Sequence, residues 1–220
     1  MKTVRLGSTG EQVSALCLGA MYYGTRVNQE MAFRLLDQYV EAGGTFIDTA
    51  NIYAHWVEGF KVGESETLLG RWVKERKNRK NLFFASKVGF GYGEVKTGLK
   101  ARQIIEECEK SLRRMDIEAF DLYYAHVDDR STPMEETLES FDRLVKAGKV
   151  RYIGASNFTA WRLEEARWVS QTKDFPAYQC VQQRYTYLQP RAGTRFGAQL
   201  AVNDDLLDYC EKHPVTLLAY

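Results

Sequence analysis

Four residues in this chain have types and positions that can do chemistry together: Asp48, Tyr53, Lys87 and His126. Asp48 and Tyr53 share the stretch Phe46-Ile47-Asp48-Thr49-Ala50-Asn51-Ile52-Tyr53, while Lys87 follows Leu82-Phe83-Phe84-Ala85-Ser86 and His126 follows Phe120-Asp121-Leu122-Tyr123-Tyr124-Ala125. Reduction of a carbonyl needs a hydride donor and a group that protonates the developing alkoxide. A free tyrosine, with a pKa near 10, is a poor acid at neutral pH. An ammonium beside it favours the phenolate and eases proton release. Lys87 can supply that charge, Asp48 can hold Lys87 as an ion pair, and His126 can orient the carbonyl oxygen or help relay a proton. The hydride has to come from a cofactor. Taken singly each residue is unremarkable: one tyrosine of 13, one histidine of three, a turn-capping aspartate, a solvated lysine. Their common place at the ends of apolar runs gives them weight.

Those runs alternate with longer amphipathic segments. Short runs fall at Ala15–Gly19, Thr45–Asp48, Leu82–Ser86, Phe120–Ala125, Val150–Ser156, Tyr178–Val181 and Val215–Ala219. Helical spacing is read over Gln29–Glu41, Glu64–Lys77, Ala101–Arg114, a segment from Pro133 to Ala147, Ala160–Ser170 and Asp204–Lys212. Asn28 suits an N-cap, Gly43-Gly44 a helix end, and Pro133 a first turn. Ahead of these, Thr3–Leu6 and Gln12–Ser14 read as a hairpin around Ser8-Thr9-Gly10.

Strand alternating with helix implies a parallel sheet with helices outside. The strands are continuously apolar, as strands covered on both faces should be. An open doubly wound sheet and a closed (β/α)8 barrel both fit this pattern. Gly19-Ala20-Met21-Tyr22-Tyr23-Gly24 lacks GxGxxG spacing, which disfavours a Rossmann phosphate loop. Polar residues recur at the ends of several strands, which is where a barrel carries its chemistry. The expected fold is therefore α/β: a (β/α)8 TIM barrel with an N-terminal hairpin, of which about seven of eight β/α units are present. Residues 1–220 are expected to form one barrel domain, incomplete at the C-terminus, because a barrel of this type wants eight strands and about 250 residues.

These motifs, with Leu18-Gly19, Ser86-Lys87 and Gly148-Lys149-Val150-Arg151-Tyr152-Ile153-Gly154-Ala155-Ser156-Asn157-Phe158, resemble the aldo-keto reductase superfamily from Leu16 to Tyr220. The resemblance implies NAD(P)H-dependent, reversible reduction of aldehydes and ketones, with Tyr53 as proton donor assisted by Lys87, Asp48 and His126. It also implies a nicotinamide site: Ser156, Asn157 and Gln182 on the carboxamide, Tyr220 stacked on the ring, and Gly19, Ala20, Met21 and Asp48 nearby. NADP(H) is the cofactor the family implies, with NAD(H) left open. No residue here selects between them, because the family's 2′-phosphate-binding segment follows the eighth strand. Aromatic residues at the rim, Tyr22, Trp56, Phe90 and Tyr92, are expected to wall a pocket for apolar or aryl carbonyl compounds. The segments Ala54–Val62 and Tyr185–Asn203 are long; the first can form a lid, and the second, with Arg184, Arg191 and Arg195, can rest on the cofactor or serve as an oligomer contact.

Composition bounds the rest. The chain has 220 residues, 45% apolar and 27% charged, with a net charge of +1. That balance gives no footprint for nucleic acid or an anionic membrane. The basic run Arg76-Lys77-Asn78-Arg79-Lys80 is read as a solvated helix terminus. Cys17, Cys108, Cys180 and Cys210 have neither disulfide nor metal spacing and are read as free thiols. The N-terminus lacks a signal-peptide stretch, no segment approaches the roughly twenty apolar residues of a membrane helix, and a cytoplasmic setting is expected. A metal site built from Asp48, His55 and His126 is disfavoured for want of an HxH pair, and Asp128-Asp129-Arg130 reads as a polar loop. Two other readings stay open: a non-catalytic, cofactor-binding regulatory subunit on the same barrel, and an inactive fragment. The oligomeric state is open as well.

Overall fold

Along β5 (Phe83–Val88), Phe83, Ala85 and Lys87 alternate with Phe84, Ser86 and Val88, and both sets are buried. Burial of both faces is the mark of a parallel strand covered on each side. The computed structural model describes every residue except Gln189 and Ala192. A hairpin of β1 (Thr3–Arg5) and β2 (Gln12–Ser14) precedes β3 (Leu18–Gly19), β4 (Phe46–Asp48), β5, β6 (Phe120–Ala125), β7 (Val150–Ser156), β8 (Tyr178–Gln183) and β9 (Thr216–Ala219). The strands from β3 to β9 pair in chain order, all parallel, as one seven-stranded sheet. The helices α1 (Gln29–Glu41), α2 (Glu64–Arg76), α3 (Ala101–Met115), α4 (Met134–Lys146), α5 (Ala160–Lys173) and α6 (Asp204–Lys212) form the crossovers. Asn28 and Asn203 cap α1 and α6 through their side chains, and Pro133 immediately precedes α4.

The sheet curls. Gln182 on β8 donates from Nε2 to Asp48 Oδ2 on β4, four strands away in the sheet, at 3.1 Å. A curled, seven-stranded parallel sheet flanked by helices is a partial (β/α)8 barrel, as the alternation of runs implied. The hairpin covers its floor: Gly7 N donates to Thr216 Oγ1 on β9 (2.8 Å), Tyr152 on β7 donates to Glu11 (3.2 Å), and Ser14 N donates to Thr45 Oγ1 beside β4 (3.1 Å).

Inside, Phe46, Phe83, Ala85, Leu122, Tyr124 and Cys180 pack with Leu6 and Val13 of the hairpin. Outside, Ile47, Phe84, Tyr123, Ile153 and Val181 pack against the helices. The interior is tight enough to require a glycine: a Cβ on Gly154 would lie 2.7 Å from the Tyr124 ring. Strand alternation then points the next inward residues of each strand into the rim. On β4, β5, β7 and β8 these are Asp48, Lys87, Ser156 and Gln182; His126 and Tyr220 directly follow β6 and β9.

The bounds differ from expectation in places. The run from Ala15 yields only Leu18–Gly19 as strand, because the Leu16 carbonyl accepts from Ser14 Oγ and Tyr39 Oη instead of a ladder partner. The basic run is not simply a solvated terminus. Lys77 adopts a left-handed conformation that ends α2, and Arg79 turns back to pair with the buried Asp121 at 2.8 Å and to donate to the carbonyls of Leu82 and Ala119. The buried carboxylate, which also accepts from Phe84 N, needs that counter-charge. All four cysteines are free. Among the described residues, no helix is long and apolar enough to cross a membrane.

Candidate active site

Asp48 is the last residue of β4 and Lys87 lies inside β5, so their backbones are set by the sheet. Lys87 is fully buried, and its ammonium has three partners: Asp48 Oδ1, the Thr49 carbonyl at 2.7 Å and Tyr53 Oη at 2.6 Å. An ammonium has three protons, so all are engaged. Tyr53 arrives from the β4–α2 loop and donates to Asp48 Oδ1 at 3.2 Å. Thr49 and Ser65 share a hydrogen bond at 2.8 Å, and Ser65 donates to the Ala20 carbonyl at 2.7 Å, which ties the loop's start to the end of β3. Ala20 N in turn donates to the Asp48 carbonyl at 2.9 Å.

Burial pushes the Tyr53 phenol well above its usual pKa, and the Asp48 carboxylate pushes it the same way. This differs from the expectation built on the ammonium alone: desolvation of the anion and the negative neighbour prevail, and the phenol keeps its proton at neutral pH. Burial lowers Lys87, with Asp48 opposing. Burial, and then the positive Lys87, hold His126 well below the ordinary histidine range, so its imidazole is neutral. His126 packs edge-on to Phe90 (4.7 Å between centroids) and Tyr53 (6.0 Å), and its buried Nδ1 has no protein partner.

Ser156, Asn157 and Gln182 are all buried on the β7–β8 side of the rim. Asn157, in the left-handed region with φ 61°, donates to the His126 carbonyl (2.9 Å) and Ser156 Oγ (3.1 Å). Its Oδ1 accepts from Leu200 N (3.2 Å) and Tyr220 Oη (2.8 Å). The amide thus makes the four hydrogen bonds it can make. Asn157 is a strut joining β6, β7, β9 and the long loop after β8, a role the motif did not announce. Gln182 is turned to Asp48, and Tyr220 leaves part of its ring exposed at the rim. Gly19 and Met21 flank Ala20 at the end of β3.

The aromatic wall divides. Tyr22 and Trp56 meet edge-to-face at 6.3 Å, Arg26 lies over the Tyr22 ring at 4.7 Å, and Trp56 remains largely exposed. Phe90 stands with His126, whereas the hydroxyl of Tyr92 is taken by Glu107 on α3. Arg184, just ahead of the Tyr185–Asn203 segment, of which Gln189 and Ala192 lie outside the described residues, lies over Phe196 (3.9 Å) and pairs in a bridge with Ala201. Among the described residues no group of three acidic, histidine or cysteine side chains can hold a metal. His55 Nδ1 is 2.9 Å from the Ile52 carbonyl.

Two acidic residues behind the rim escaped the sequence reading. Glu66 on α2 is fully buried, accepting from Ser86 Oγ and Arg114 Nε, each at 2.6 Å. Glu107 on α3 is buried and accepts from Asn51 at 2.9 Å. A signal existed: Glu107 falls on the buried stripe of α3 with Ile104, Cys108, Ser111, Leu112 and Met115. A charge on an apolar stripe calls for a partner.

The loop after His126 is polar, as its composition implied. Asp129 accepts from Leu99 N, Ser131 N, Ser131 Oγ and Thr132 Oγ1, and Asp128 pairs with Arg162 and Arg130. Burial would raise the Asp129 carboxyl, but these hydrogen bonds bring it down to about 2. A carboxyl depressed in the folded state adds stability above its unfolded pKa near 3.9 and loses it as pH falls toward 2. Asp129→Asn is expected to cost about 1–2 kcal/mol near pH 7 after solvent screening. Urea unfolding should show that deficit vanishing between about pH 4 and about pH 2; a constant deficit would refute the linkage.

A partial parallel barrel with an ammonium, a carboxylate, a phenol and a neutral imidazole gathered at the C-terminal ends of its strands has the architecture of part of a (β/α)8 fold. Comparison with known proteins narrows this: the aldo/keto reductase family model matches residues 15–220, and the chain belongs to that family. It is 36% identical over 200 residues to the uncharacterized oxidoreductase YrpG of Bacillus subtilis, covering 87% of this chain and 60% of that protein. It is 37% identical to norsolorinic acid reductase B of Aspergillus parasiticus and 42% identical to norsolorinic acid reductase stcV of Emericella nidulans, covering 70% and 69% of this chain. The chain spans 43% and 41% of those two fungal proteins.

Proposed function

We propose that the protein reduces aldehydes or ketones to alcohols, reversibly, with a nicotinamide cofactor and with Tyr53 as proton donor. The observation that carries this reading is the saturated contact of Lys87 with Asp48, Thr49 and Tyr53. Burial keeps the phenol protonated until a stronger base, the developing alkoxide, is next to it. On proton loss, the phenolate is left 2.6 Å from the ammonium nitrogen, which stabilises it there. Asp48 keeps Lys87 charged and in place. A neutral His126 beside Tyr53 can donate a hydrogen bond to the carbonyl oxygen and so orient it without carrying a charge.

The rim fits a nicotinamide. Ser156 and Gln182 offer a buried hydroxyl and amide to a carboxamide, and Tyr220 offers a partly exposed ring face. Asn157 can join them by exchanging Leu200 or Tyr220 for the cofactor. Gly19, Ala20 and Met21 line the adjoining end of β3. The nicotinamide supplies the hydride when bound. NADPH is the form proposed, on family resemblance. Tyr22, Trp56 and Phe90 favour an apolar or aryl substrate.

The test is to mix the protein with NADPH or NADH and 4-nitrobenzaldehyde, following the nicotinamide absorbance. Turnover, faster with NADPH, is expected. Cofactor binding with no reduction of any aryl or alkyl carbonyl would sink the reading and leave a cofactor-binding regulatory protein.

A further inference from the structure

Glu107, behind the site, grips both rim loops flanking β5. It accepts Asn51 Nδ2 at 2.9 Å, Tyr92 Oη at 2.9 and 2.8 Å to its two oxygens, and Lys110 Nζ at 2.7 Å. Asn51 lies in the β4–α2 loop, two residues before Tyr53; Tyr92 lies in the β5–α3 loop, two residues after Phe90. Burial alone would raise the carboxyl, but the bonds from Lys110, Asn51 and Tyr92 hold it below the usual range. An ionised acceptor makes each bond charge-assisted, shorter and stronger than a neutral one. Asn51 also touches β5 directly, its N–H donating to the Lys87 carbonyl at 3.5 Å. Helix α3 is rigidly seated by its buried stripe, so a carboxylate on it is a fixed point to which both loops are tied.

We propose that Glu107 is a positioning residue for the reaction: through Asn51 it fixes where the Tyr53 hydroxyl stands, and through Tyr92 it fixes the wall carrying Phe90. The proposal rests on the reading of Tyr53 as proton donor. Its two arms have different kinetic signatures. Loosening the Asn51 arm displaces a reacting group and lowers kcat; loosening the Tyr92 arm reshapes the pocket and raises KM for the carbonyl.

The experiment compares Glu107→Ala, Glu107→Gln and Tyr92→Phe with wild type in the full chain, using NADPH and 4-nitrobenzaldehyde. Glu107→Ala is expected to lower kcat about ten- to a hundredfold, the range that small misplacements of reacting groups produce, and to raise the aldehyde KM. NADPH binding, read by fluorescence, should be unchanged. Glu107→Gln, which keeps an acceptor for Asn51, should recover most of kcat. Tyr92→Phe keeps the ring, loses the tether, and should raise KM several-fold with kcat retained. A Glu107→Ala protein with a lower melting temperature but wild-type kcat and KM would make Glu107 purely structural and overturn the proposal. Should that variant fail to fold, an unchanged KM in Tyr92→Phe overturns it. Equal rates for wild type and Tyr53→Phe would instead remove the proton-donor reading itself.

Discussion

Tyr53→Phe deletes a single oxygen and is expected to lower the rate of carbonyl reduction by about 10²–10⁴-fold, the usual contribution of a positioned general acid. The prediction is sharp because Tyr53 Oη is both an acceptor from Lys87 and a donor to Asp48. Without it the Lys87 ammonium keeps Asp48 and Thr49, so the fold and the rim should persist. Binding of NADPH, measured by fluorescence, should stay within a few-fold of wild type, since general-acid loss need not touch ground-state binding. The pH profile adds a second check. Burial and Asp48 hold the phenol well above its ordinary value. Wild-type reduction should therefore show no loss of the proton donor across the neutral range. A decline centred near pH 7 that Tyr53→Phe abolished would contradict the structure.

Asp48→Asn is expected to damage stability as well as activity. Lys87 is fully buried, and Asp48 is the carboxylate paired with it. Removing one partner of a buried pair costs about 3–5 kcal/mol, because the other charge is left without compensation. For a domain of this size that corresponds to a fall in Tm of roughly 10 °C. Asp48 also accepts from Tyr53 and Gln182, so both lose a strong acceptor. The sign of the pH dependence follows from linkage. Burial already lowers Lys87, and Asp48 opposes that; without Asp48 the pKa falls further. A lysine lowered in the folded state binds fewer protons than in the unfolded chain, so stability rises with pH. The deficit of Asp48→Asn should therefore narrow from about pH 7 toward about pH 10. The double variant Asp48→Asn/Lys87→Met should regain most of the lost Tm while remaining inactive. A double variant no more stable than Asp48→Asn would mean that the cost lies outside the pair.

The same residues show how far the sequence could be read. Asp48, Lys87 and His126 were legible because each closes an apolar run, and the parity of a strand is a local property. The helices over Gln29–Glu41 and Asp204–Lys212 were legible for a similar reason, the first with its Asn28 cap: period and cap lie within a few residues of each other, whereas the Asn203 cap of the second appears only in the structure. Glu107 was passed over because the strongest helical signal is the apolar stripe, and one carboxylate within it reads as noise until Asn51 and Tyr92 appear beside it. The run does end a helix, but the inward turn of Arg79 was not legible, because the left-handed Lys77 that precedes its approach to Asp121 has no marker in a run of basic residues.

By itself, then, the sequence determined the order of strands and helices, the polarity of the rim and the place there of Asp48, Lys87 and His126, since these follow from short-range period and residue type, while Tyr53, in a loop, was marked out by the motif resemblance. Only the tertiary structure decided which of them touch. The curl of the sheet brings Gln182 to Asp48, the pairing of β6 with β7 and the left-handed backbone of Asn157 place its amide on the His126 carbonyl, and burial, not the nearby ammonium, sets the protonation of Tyr53. Such contacts depend on how strands far apart in the chain close on one another, and on how much water that closure removes, neither of which is written in residue spacing.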